Sequence, residues 1–276
     1  MADNDMAQQM LGATAYWAAG VRALERARED RLFNDPWAAA LAGPLGMAWA
    51  AGRGDKSAAM VIRTRYFDDF LQRVVIDFGV RQVVILAAGL DTRAYRLGWL
   101  EGSRLFELDQ PSVLRYKEQV MQAADARLVC DRRAIEVDLN SEWEAPLAAA
   151  GFTLHQPSVW LMEGFLFYLP YALITQLLEK ASRQAAPGSW IGFDIVNALT
   201  LTSQWTRPWV EMQAAAGVPW LGTLDDPEGT LSGLGWRPAL TQPGAADAGY
   251  GRWTLPVIPL KMPGMPHHWY VTGWKE

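Results

Sequence analysis

The sequence QVVILAAGLDTRAYR, residues 82–96, decides the fold. Residues 82–87 form a continuous run rich in β-branched apolar side chains, which is typical of a strand buried on both faces of a parallel sheet. A turn of small residues follows, and Gly89 within it can adopt a positive φ and let a ligand approach the backbone closely. A tight turn without a ligand would have the same composition, so this loop alone does not identify a binding site.

Further strands and helices alternate downstream of this segment. We predict strands at residues 104–108, 134–137, 158–162 and 190–196, and helices at residues 111–123 and 170–186. This alternation favours a mostly parallel, Rossmann-like α/β sheet with helices on both faces. Residues 237–241 and 268–273 are predicted as strands joined by a Pro/Gly-rich connection, which indicates an antiparallel end to the sheet.

The residues before the first strand are predicted to be mainly helical. Residues 13–31 and 57–78 carry apolar side chains at helical spacing, and Asp35 before Pro36 is expected to cap a helix. Residues 43–56 are glycine-rich and are predicted as turns. We interpret the chain, residues 1–276, as one domain with a helical lid (1–56), a cofactor-binding core (57–197) and a substrate-facing part (198–276).

The composition restricts the expected partners. A formal net charge of −5 argues against nucleic acid as the main partner, because phosphate neutralisation favours a basic face. With one cysteine, Cys130, and three histidines, we expect no structural metal. The polar N-terminus is unlike a signal peptide, and no apolar run is long enough to span a bilayer. We therefore expect a cytoplasmic protein without a membrane partner, and a homodimer is left open.

Polar residues follow the predicted strands where each one ends. Asp109 lies 20 positions after Gly89, close to the spacing at which a carboxylate accepts hydrogen bonds from ribose hydroxyls, although it could instead cap the following helix. Asp138 and Leu139 could hold an adenine, or form an ordinary polar loop. Glu163 places a charge at the centre of the sheet, where a cationic ligand group such as an amino group would compensate it.

Together these motifs resemble the leucine carboxyl methyltransferase family, and most closely its bacterial branch of S-adenosylmethionine (SAM)-dependent methyltransferases associated with polyketide and other natural-product pathways. The matching segments are residues 14–15, 22–23, 32–36, 63–68, 86–96, 106–111, 137–139 and 163–169. The resemblance implies a class I methyltransferase sheet with SAM as the cofactor. It fades after about residue 198, in the region expected to select the acceptor.

The resemblance also implies roles for individual residues. Arg63 is expected to bind the SAM carboxylate, helped by Arg22 from the lid helix, and Glu163 is expected to bind the SAM amino group. Arg65 is the alternate for Arg63, because an error of alignment would exchange them. The alternative is that both arginines lie on a solvated helix face, where Asp68 and Asp69 balance their charge.

The remaining cofactor contacts are expected from the strand ends. The loop that contains Ala88, Gly89 and Asp91 would face the methionine part of SAM, Asp109 the ribose, and the pair Asp138 and Leu139 the adenine. One departure from the family pattern is Ala87, which stands where a glycine is usual. This alanine is expected to tighten the pocket.

The resemblance implies an oxygen acceptor, and the chemistry of methyl transfer favours a carboxylate among oxygen acceptors. A carboxylate is ionised at neutral pH and needs no general base, whereas a phenol, with a pKa near 10, usually needs one. The sequence offers few bases, which favours carboxyl methylation without excluding a phenol activated by His268, and no catalytic residue is assigned. His268 and Tyr168 are the candidates, and Arg93 and Arg96 could bind an acceptor carboxylate or pair with Asp91 or Glu107.

Three alternatives stay open at this point. The first is a phenol or hydroxyl O-methyltransferase, the second an NAD(P)-dependent oxidoreductase on the same kind of sheet, and the third a SAM-binding protein without activity. The acceptor is expected to be a small molecule or peptide. Fourteen tryptophans, eight of them in the last third of the chain, are explained either by core packing or by an aromatic acceptor pocket.

Overall fold

One sheet of seven strands organises the part of the chain that the computed structural model describes, residues 2–53 and 57–276. The strands are β1 (Gln82–Leu86), β2 (Arg104–Asp109), β3 (Asp131–Glu136), β4 (Ser158–Met162), β5 (Trp190–Val196), β6 (Trp236–Thr241) and β7 (His268–Lys275). Their order across the sheet is β3-β2-β1-β4-β5-β7-β6. Strands β1 to β5 are parallel, and β7 is antiparallel to both of its neighbours, so the predicted fold is confirmed.

The burial of each strand follows its place in the sheet. All five residues of β1 are buried, because β1 pairs with β2 on one side and β4 on the other and is covered on both faces. By contrast, β3 lies at an edge and begins at Asp131, three residues before the predicted start. Its first three residues are charged: Asp131 and Arg133 are exposed, as an edge strand allows, whereas Arg132 is buried against Glu107.

Ten α-helices surround this sheet in the described part of the chain. They are α1 (Ala2–Arg26), α2 (Ala38–Arg53), α3 (Ala58–Ile76), α4 (Arg93–Arg96), α5 (Pro111–Ala123), α6 (Glu144–Ala149), α7 (Tyr171–Gln184), α8 (Ala198–Thr202), α9 (Arg207–Ala215) and α10 (Pro227–Gly233). Helices α3, α5 and α7 were predicted within two residues at each end. Helix α1 ends five residues earlier than predicted, and α4, α6, α8, α9 and α10 were not predicted.

Helix α2 corrects the predicted glycine-rich turn at residues 43–56, of which residues 54–56 lie outside the described residues. The helix is kinked at Gly43, which has a φ of 59°, but it continues to Arg53. Its glycines serve close helix packing. A Cβ atom on Gly20 of α1 would collide with the carbonyl of Gly46, and one on Gly46 would collide with the carbonyl of Tyr16.

Two apolar layers, one on each face of the sheet, form the core. One layer contains Phe106 and Trp160 with α7, and the other contains Phe67 and Tyr270 with α3. Residues 242–267 join β6 to β7 without a helix or strand among these described residues, as predicted. No helix in the described ranges combines the length and apolarity needed to cross a membrane.

Candidate functional site

A cavity of about 520 Å³ lies beyond the carboxyl ends of the parallel strands. The turns after β1, β2, β3 and β4 contribute Gly89, Asp109, Asp138 and Glu163 to its wall, and α1 closes it from the other side. Turns that leave neighbouring parallel strands converge at one edge of the sheet, which is where ligands bind in open α/β folds. All the residues expected to contact a cofactor line this cavity: Arg22, Arg63, Ala88, Gly89, Asp91, Asp109, Asp138, Leu139 and Glu163.

The turn after β1 has an unusual backbone. Gly89 has a φ of 53°, as its position in a tight turn requires, and Ala87 has a φ of 54°. A left-handed conformation costs an alanine roughly 1–2 kcal/mol. The strain therefore lies at Ala87, the position where the family pattern has a glycine.

Asp109 connects the ends of β1 and β2. Its Oδ2 accepts a hydrogen bond from the Gly89 N–H (2.5 Å), and its Oδ1 accepts one from the Gln110 N–H (2.6 Å). Helix α5 has no side-chain cap, so the alternative of Asp109 as a helix cap is wrong. Burial raises the pKa of Asp109 to about 6, although both backbone hydrogen bonds act to lower it.

The turn after β3 places Asp138 and Leu139 side by side on the cavity wall. The Asp138 Oδ1 accepts a hydrogen bond from the Asn140 N–H (2.9 Å), which fixes the carboxylate beside the cavity. Leu139 packs against the core layer that contains Phe106. One apolar surface and one acceptor group are thus held at the end of the cavity farthest along the sheet from β4.

At the opposite end, Glu163 is paired with two arginines. Its Oε1 accepts from the Arg63 Nε (3.2 Å) and its Oε2 accepts from Arg93 (2.7 Å). The expectation that this carboxylate depends on a cationic ligand for charge compensation is therefore wrong. Each oxygen keeps a further lone pair, so the carboxylate can still accept a hydrogen bond from a ligand.

Arg63 is held by a residue that the sequence interpretation missed. Its guanidinium donates to the Asp194 Oδ2 (3.1 Å), and Asp194 is fully buried in β5. Burial acts to raise the pKa of Asp194, but the Arg63 charge and a hydrogen bond from His268 hold that pKa below its ordinary value. The signal was available, since Asp194 is the one charged residue in the apolar segment WIGFDIV.

The structure distinguishes Arg63 from its alternate, Arg65. Arg65 pairs with Asp69 (2.9 Å), its side chain is 39% exposed, and it does not line the cavity. Arg63 lines the cavity, and its guanidinium packs against Gly164, where a Cβ atom would come within 2.6 Å. Only Arg63 of this pair can contact a ligand there.

A buried network of ion pairs supports the turn after β1. Arg93 bonds to Asp68 (2.7 Å) and Asp91 (2.5 Å), and Arg96 also bonds to Asp68 (2.6 Å). Burial acts to raise the pKa of Asp91, but the Arg93 charge lowers it to about 2. Of the two partners considered from sequence, Asp91 pairs with Arg93, whereas the other, Glu107, pairs with neither arginine.

Arg22 and Asp35 join α1 to the same network. The Arg22 guanidinium donates to the Asp35 Oδ2 (2.8 Å) and to the Leu90 carbonyl (2.6 Å). The Thr92 hydroxyl also donates to the Asp35 Oδ2 (2.7 Å). Asp35 does accept from the Trp37 N–H just before α2, as a capping residue would. Its larger contribution, which the sequence did not indicate, is to fix α1 to the β1 turn.

The two candidate catalytic residues both lie on the cavity wall. The His268 Nε2 is 3.0 Å from the Asp194 Oδ2, and the side chain is 24% exposed. Burial raises the pKa of Tyr168, so its phenol stays protonated at neutral pH and cannot act as a base there. Of the two, His268 is the residue that could accept a proton.

The cavity continues past His268 into a wall of aromatic rings. Phe167 lies after β4, Trp220 follows α9, Trp209 lies on α9 and Trp17 lies on α1. Of the eight tryptophans in the last third of the chain, four line the cavity and four lie in strands; the cavity set is Trp205, Trp209, Trp220 and Trp253. Packing within the sheet therefore accounts for four of these tryptophans, and the other four form part of the cavity wall.

The donor set of the cavity fits SAM. Arg63 and Glu163 form an ion pair at one end, which is complementary to a zwitterionic amino-acid group. Asp109, in the middle, offers carboxylate oxygens suited to hydroxyls, and Leu139 offers an apolar surface for a planar base. Within the described ranges, no group of three or more His, Cys, Asp or Glu side chains is placed to hold a metal ion.

Comparison with known proteins gives consistent matches. Residues 15–182 match the family model described as leucine carboxyl methyltransferase. A candidate S-adenosyl-L-methionine-dependent methyltransferase of Streptomyces coelicolor is 40% identical over 259 residues, 87% of this chain and 88% of the relative. A similarly named protein of Frankia alni is 40% identical over 262 residues, 87% of each chain.

Solved structures support the fold. A DUF574 family protein from Streptomyces avermitilis matches with a TM-score of 0.61 at 14% identity, over 94% of this chain and 97% of that one. A candidate methyltransferase from Thermobifida fusca matches with a TM-score of 0.59 at 16% identity, over 85% and 89% of the two chains. At such low identities these likenesses concern the architecture alone.

Proposed function

This chain belongs to the leucine carboxyl methyltransferase family and is a methyltransferase that uses SAM, and we propose that it forms a methyl ester on a carboxylate of a small molecule or peptide. Membership of this family rules out the alternative of an NAD(P)-dependent oxidoreductase. The observation that carries the proposal is the convergence of Gly89, Asp109, Asp138 and Glu163 on one cavity, at the strand ends where a nucleoside ligand is expected.

Asp109 and the β1 turn are assigned to the ribose. The Asp109 carboxylate is held by two backbone N–H groups, so its orientation is fixed before any ligand arrives. Its remaining lone pairs can accept hydrogen bonds from two vicinal hydroxyls. Ala88 and Gly89 have no side chain beyond Cβ, which leaves room for the cofactor against the backbone.

Asp138 and Leu139 are assigned to the adenine, and Arg63 and Glu163 to the amino-acid end. Leu139 offers an apolar face for the ring, while Asp138 accepts from its exocyclic amine. The Arg63 guanidinium binds the carboxylate, and a free lone pair of Glu163 accepts from the ammonium group. Arg22 acts indirectly, because its hydrogen bonds to Asp35 and to the Leu90 carbonyl position α1 over the cavity.

Bound SAM supplies an electrophilic methyl group on a sulfonium. The protein contributes alignment and exclusion of water, the two effects that an in-line displacement between bound partners requires. An acceptor carboxylate arrives ionised, so no residue has to remove a proton. The described arginines of the cavity, Arg22, Arg63, Arg93 and Arg96, are all paired with carboxylates, so none of them offers a vacant guanidinium to the acceptor.

A hydroxyl acceptor is the second candidate, and the pair of His268 and Asp194 favours it. Asp194 accepts a hydrogen bond from Nε2 of His268, so the neutral ring carries its proton on Nε2 and Nδ1 is free to accept one. A general base of this kind typically contributes 10²–10⁴-fold to the rate.

Product analysis with a matched variant separates the two candidates. We would incubate the protein with SAM and paired aromatic acids and phenols, and identify methyl esters and methyl ethers by mass spectrometry. The proposal expects esters from the acids and retained ester formation in His268→Gln. Ether formation that falls by roughly 100-fold or more in His268→Gln would favour the hydroxyl candidate.

A further inference from the structure

The aromatic wall is a continuous series of ring contacts. The Phe167 and Trp220 ring centroids are 4.5 Å apart, those of Trp220 and Trp209 are 6.2 Å apart, and those of Trp209 and Trp17 are 5.7 Å apart. All four rings line the cavity. Aromatic pairs in this range of distances hold one another in place, so the wall is a preformed surface.

The wall begins beside the residues assigned to the reactive end of the cofactor. The Phe167 ring lies 6.4 Å from the His268 ring at an angle of 87°, and His268 bonds to Asp194, which also binds Arg63. The wall then continues from Phe167 to α9, whereas the residues assigned to the adenosine lie on the turns after β2 and β3. The two parts of the cavity therefore diverge from the region around His268.

One buried polar group lies within the aromatic part. Gln213 follows Trp209 by one helical turn on α9, so both face the cavity. The Gln213 side chain is 1% exposed, and in the part of the chain that the structure describes its Oε1 has no hydrogen-bond partner. A buried amide oxygen without a partner is costly, which makes it a site for a ligand hydrogen bond.

We propose that the methyl acceptor has a planar aromatic body that stacks along Phe167, Trp220 and Trp209, and a polar substituent that hydrogen bonds to Gln213. This rests on the proposed function for the position of the reacting carboxylate beside His268. Flat ring faces select against flexible chains of equal apolar area, because a rigid planar ligand loses less conformational freedom on binding. Gln213 selects the hydroxylated ligand, because a ligand without that group leaves the amide unpaired.

The experiment measures acceptor binding with the cofactor site saturated by S-adenosylhomocysteine. The probes are 2-naphthoic acid, its hydroxylated positional isomers and decanoic acid, followed by calorimetry and by quenching of tryptophan fluorescence. The variants are Gln213→Met, which keeps length and removes the amide, and Trp209→Leu. The matched control is Gln204→Met, which makes the same change at an exposed position outside the cavity.

We expect at least one hydroxynaphthoic isomer to bind about 10-fold more tightly than 2-naphthoic acid, and 2-naphthoic acid to bind about 10-fold more tightly than decanoic acid. Gln213→Met should abolish the preference for the hydroxynaphthoic acid and leave the preference for 2-naphthoic acid over decanoic acid. Trp209→Leu should abolish the preference for 2-naphthoic acid over decanoic acid. Gln204→Met should change neither. Decanoic acid binding as tightly as the naphthoic acids, or a hydroxyl preference that survives Gln213→Met, would overturn the proposal.

Methyl transfer, read separately by mass spectrometry, distinguishes this inference from the proposed function. If hydroxynaphthoic acids bind with the expected pattern but gain no methyl ester, the carboxyl proposal fails and the acceptor class stands. If decanoic acid is esterified as readily as the naphthoic acids in wild type and Trp209→Leu alike, the acceptor class fails and the carboxyl proposal stands. Unchanged S-adenosylhomocysteine affinity in each variant shows that the cavity is intact.

Discussion

Cofactor affinity should fall sharply below pH 6, because Asp109 must be ionised to accept the ribose hydrogen bonds. Burial raises the pKa of Asp109 to about 6, with the hydrogen bonds from Gly89 and Gln110 opposing part of that effect. If only the carboxylate form binds, the apparent Kd rises by the factor 1 + 10^(pKa − pH). With a pKa of about 6, this factor is about 1.1 at pH 7 and about 11 at pH 5.

The sign follows from the form that binds. As the pH falls through about 6, Asp109 takes up a proton, one of its oxygens becomes a donor, and the acceptor capacity that the two hydroxyls require is lost. Among charged groups, Lys117 acts to lower the pKa of Asp109 and Glu107 acts to raise it, so their effects are opposed. The ammonium and carboxylate of SAM itself keep their charges between pH 5 and pH 7.

Calorimetric titration with S-adenosylhomocysteine at half-unit steps from pH 5 to pH 8 measures the effect. Asp109→Asn should bind about 10-fold more weakly or worse at pH 7.5, with an affinity that no longer changes in this range. His268→Gln should keep the wild-type pH dependence, since that ring is assigned to the acceptor. A flat wild-type profile, or an Asp109→Asn profile as steep as the wild type, would refute the assignment of Asp109 to the ribose.

Three further predictions follow from individual contacts. Arg63→Gln should weaken SAM binding by about 10-fold or more, and Arg65→Gln by less than about 2-fold, as measured by calorimetry; equal losses would contradict the choice between them. Ala87→Gly should raise the free energy of unfolding by about 0.5–1 kcal/mol in urea titration, because it relieves a positive φ, and a lower value would argue against strain there. Arg93→Met should lower it by about 3–5 kcal/mol, since it leaves buried carboxylates without their partner, and a loss below about 1 kcal/mol would show that the network is dispensable.

The parts of the site that the sequence predicted share one property: they follow from local order along the chain. A parallel sheet brings the ends of neighbouring strands to one edge, so Asp109, Asp138 and Glu163 could be placed together without coordinates. The fold was predictable for the same reason. Its strands are short apolar runs, and only the charged edge strand β3 was misjudged at its start.

The parts that the sequence did not predict depend on contacts between distant segments. Glu163 is 70 residues from Arg93 in the chain, and no local pattern indicates that they pair. The glycines of α2 have the composition of a turn and serve helix packing instead, because their partner surface is on α1. Gln213 and the ring contacts of Trp209 could not be predicted, since α9 is too short to show a clear apolar period.

A crystal structure of the protein with S-adenosylhomocysteine would test the common site most directly. We expect the ribose hydroxyls within hydrogen-bond distance of Asp109, the adenine against Leu139, and the amino-acid end between Arg63 and Glu163. A ligand bound away from the turns after β1, β2, β3 and β4, or bound among them with its ribose turned from Asp109, would contradict the account.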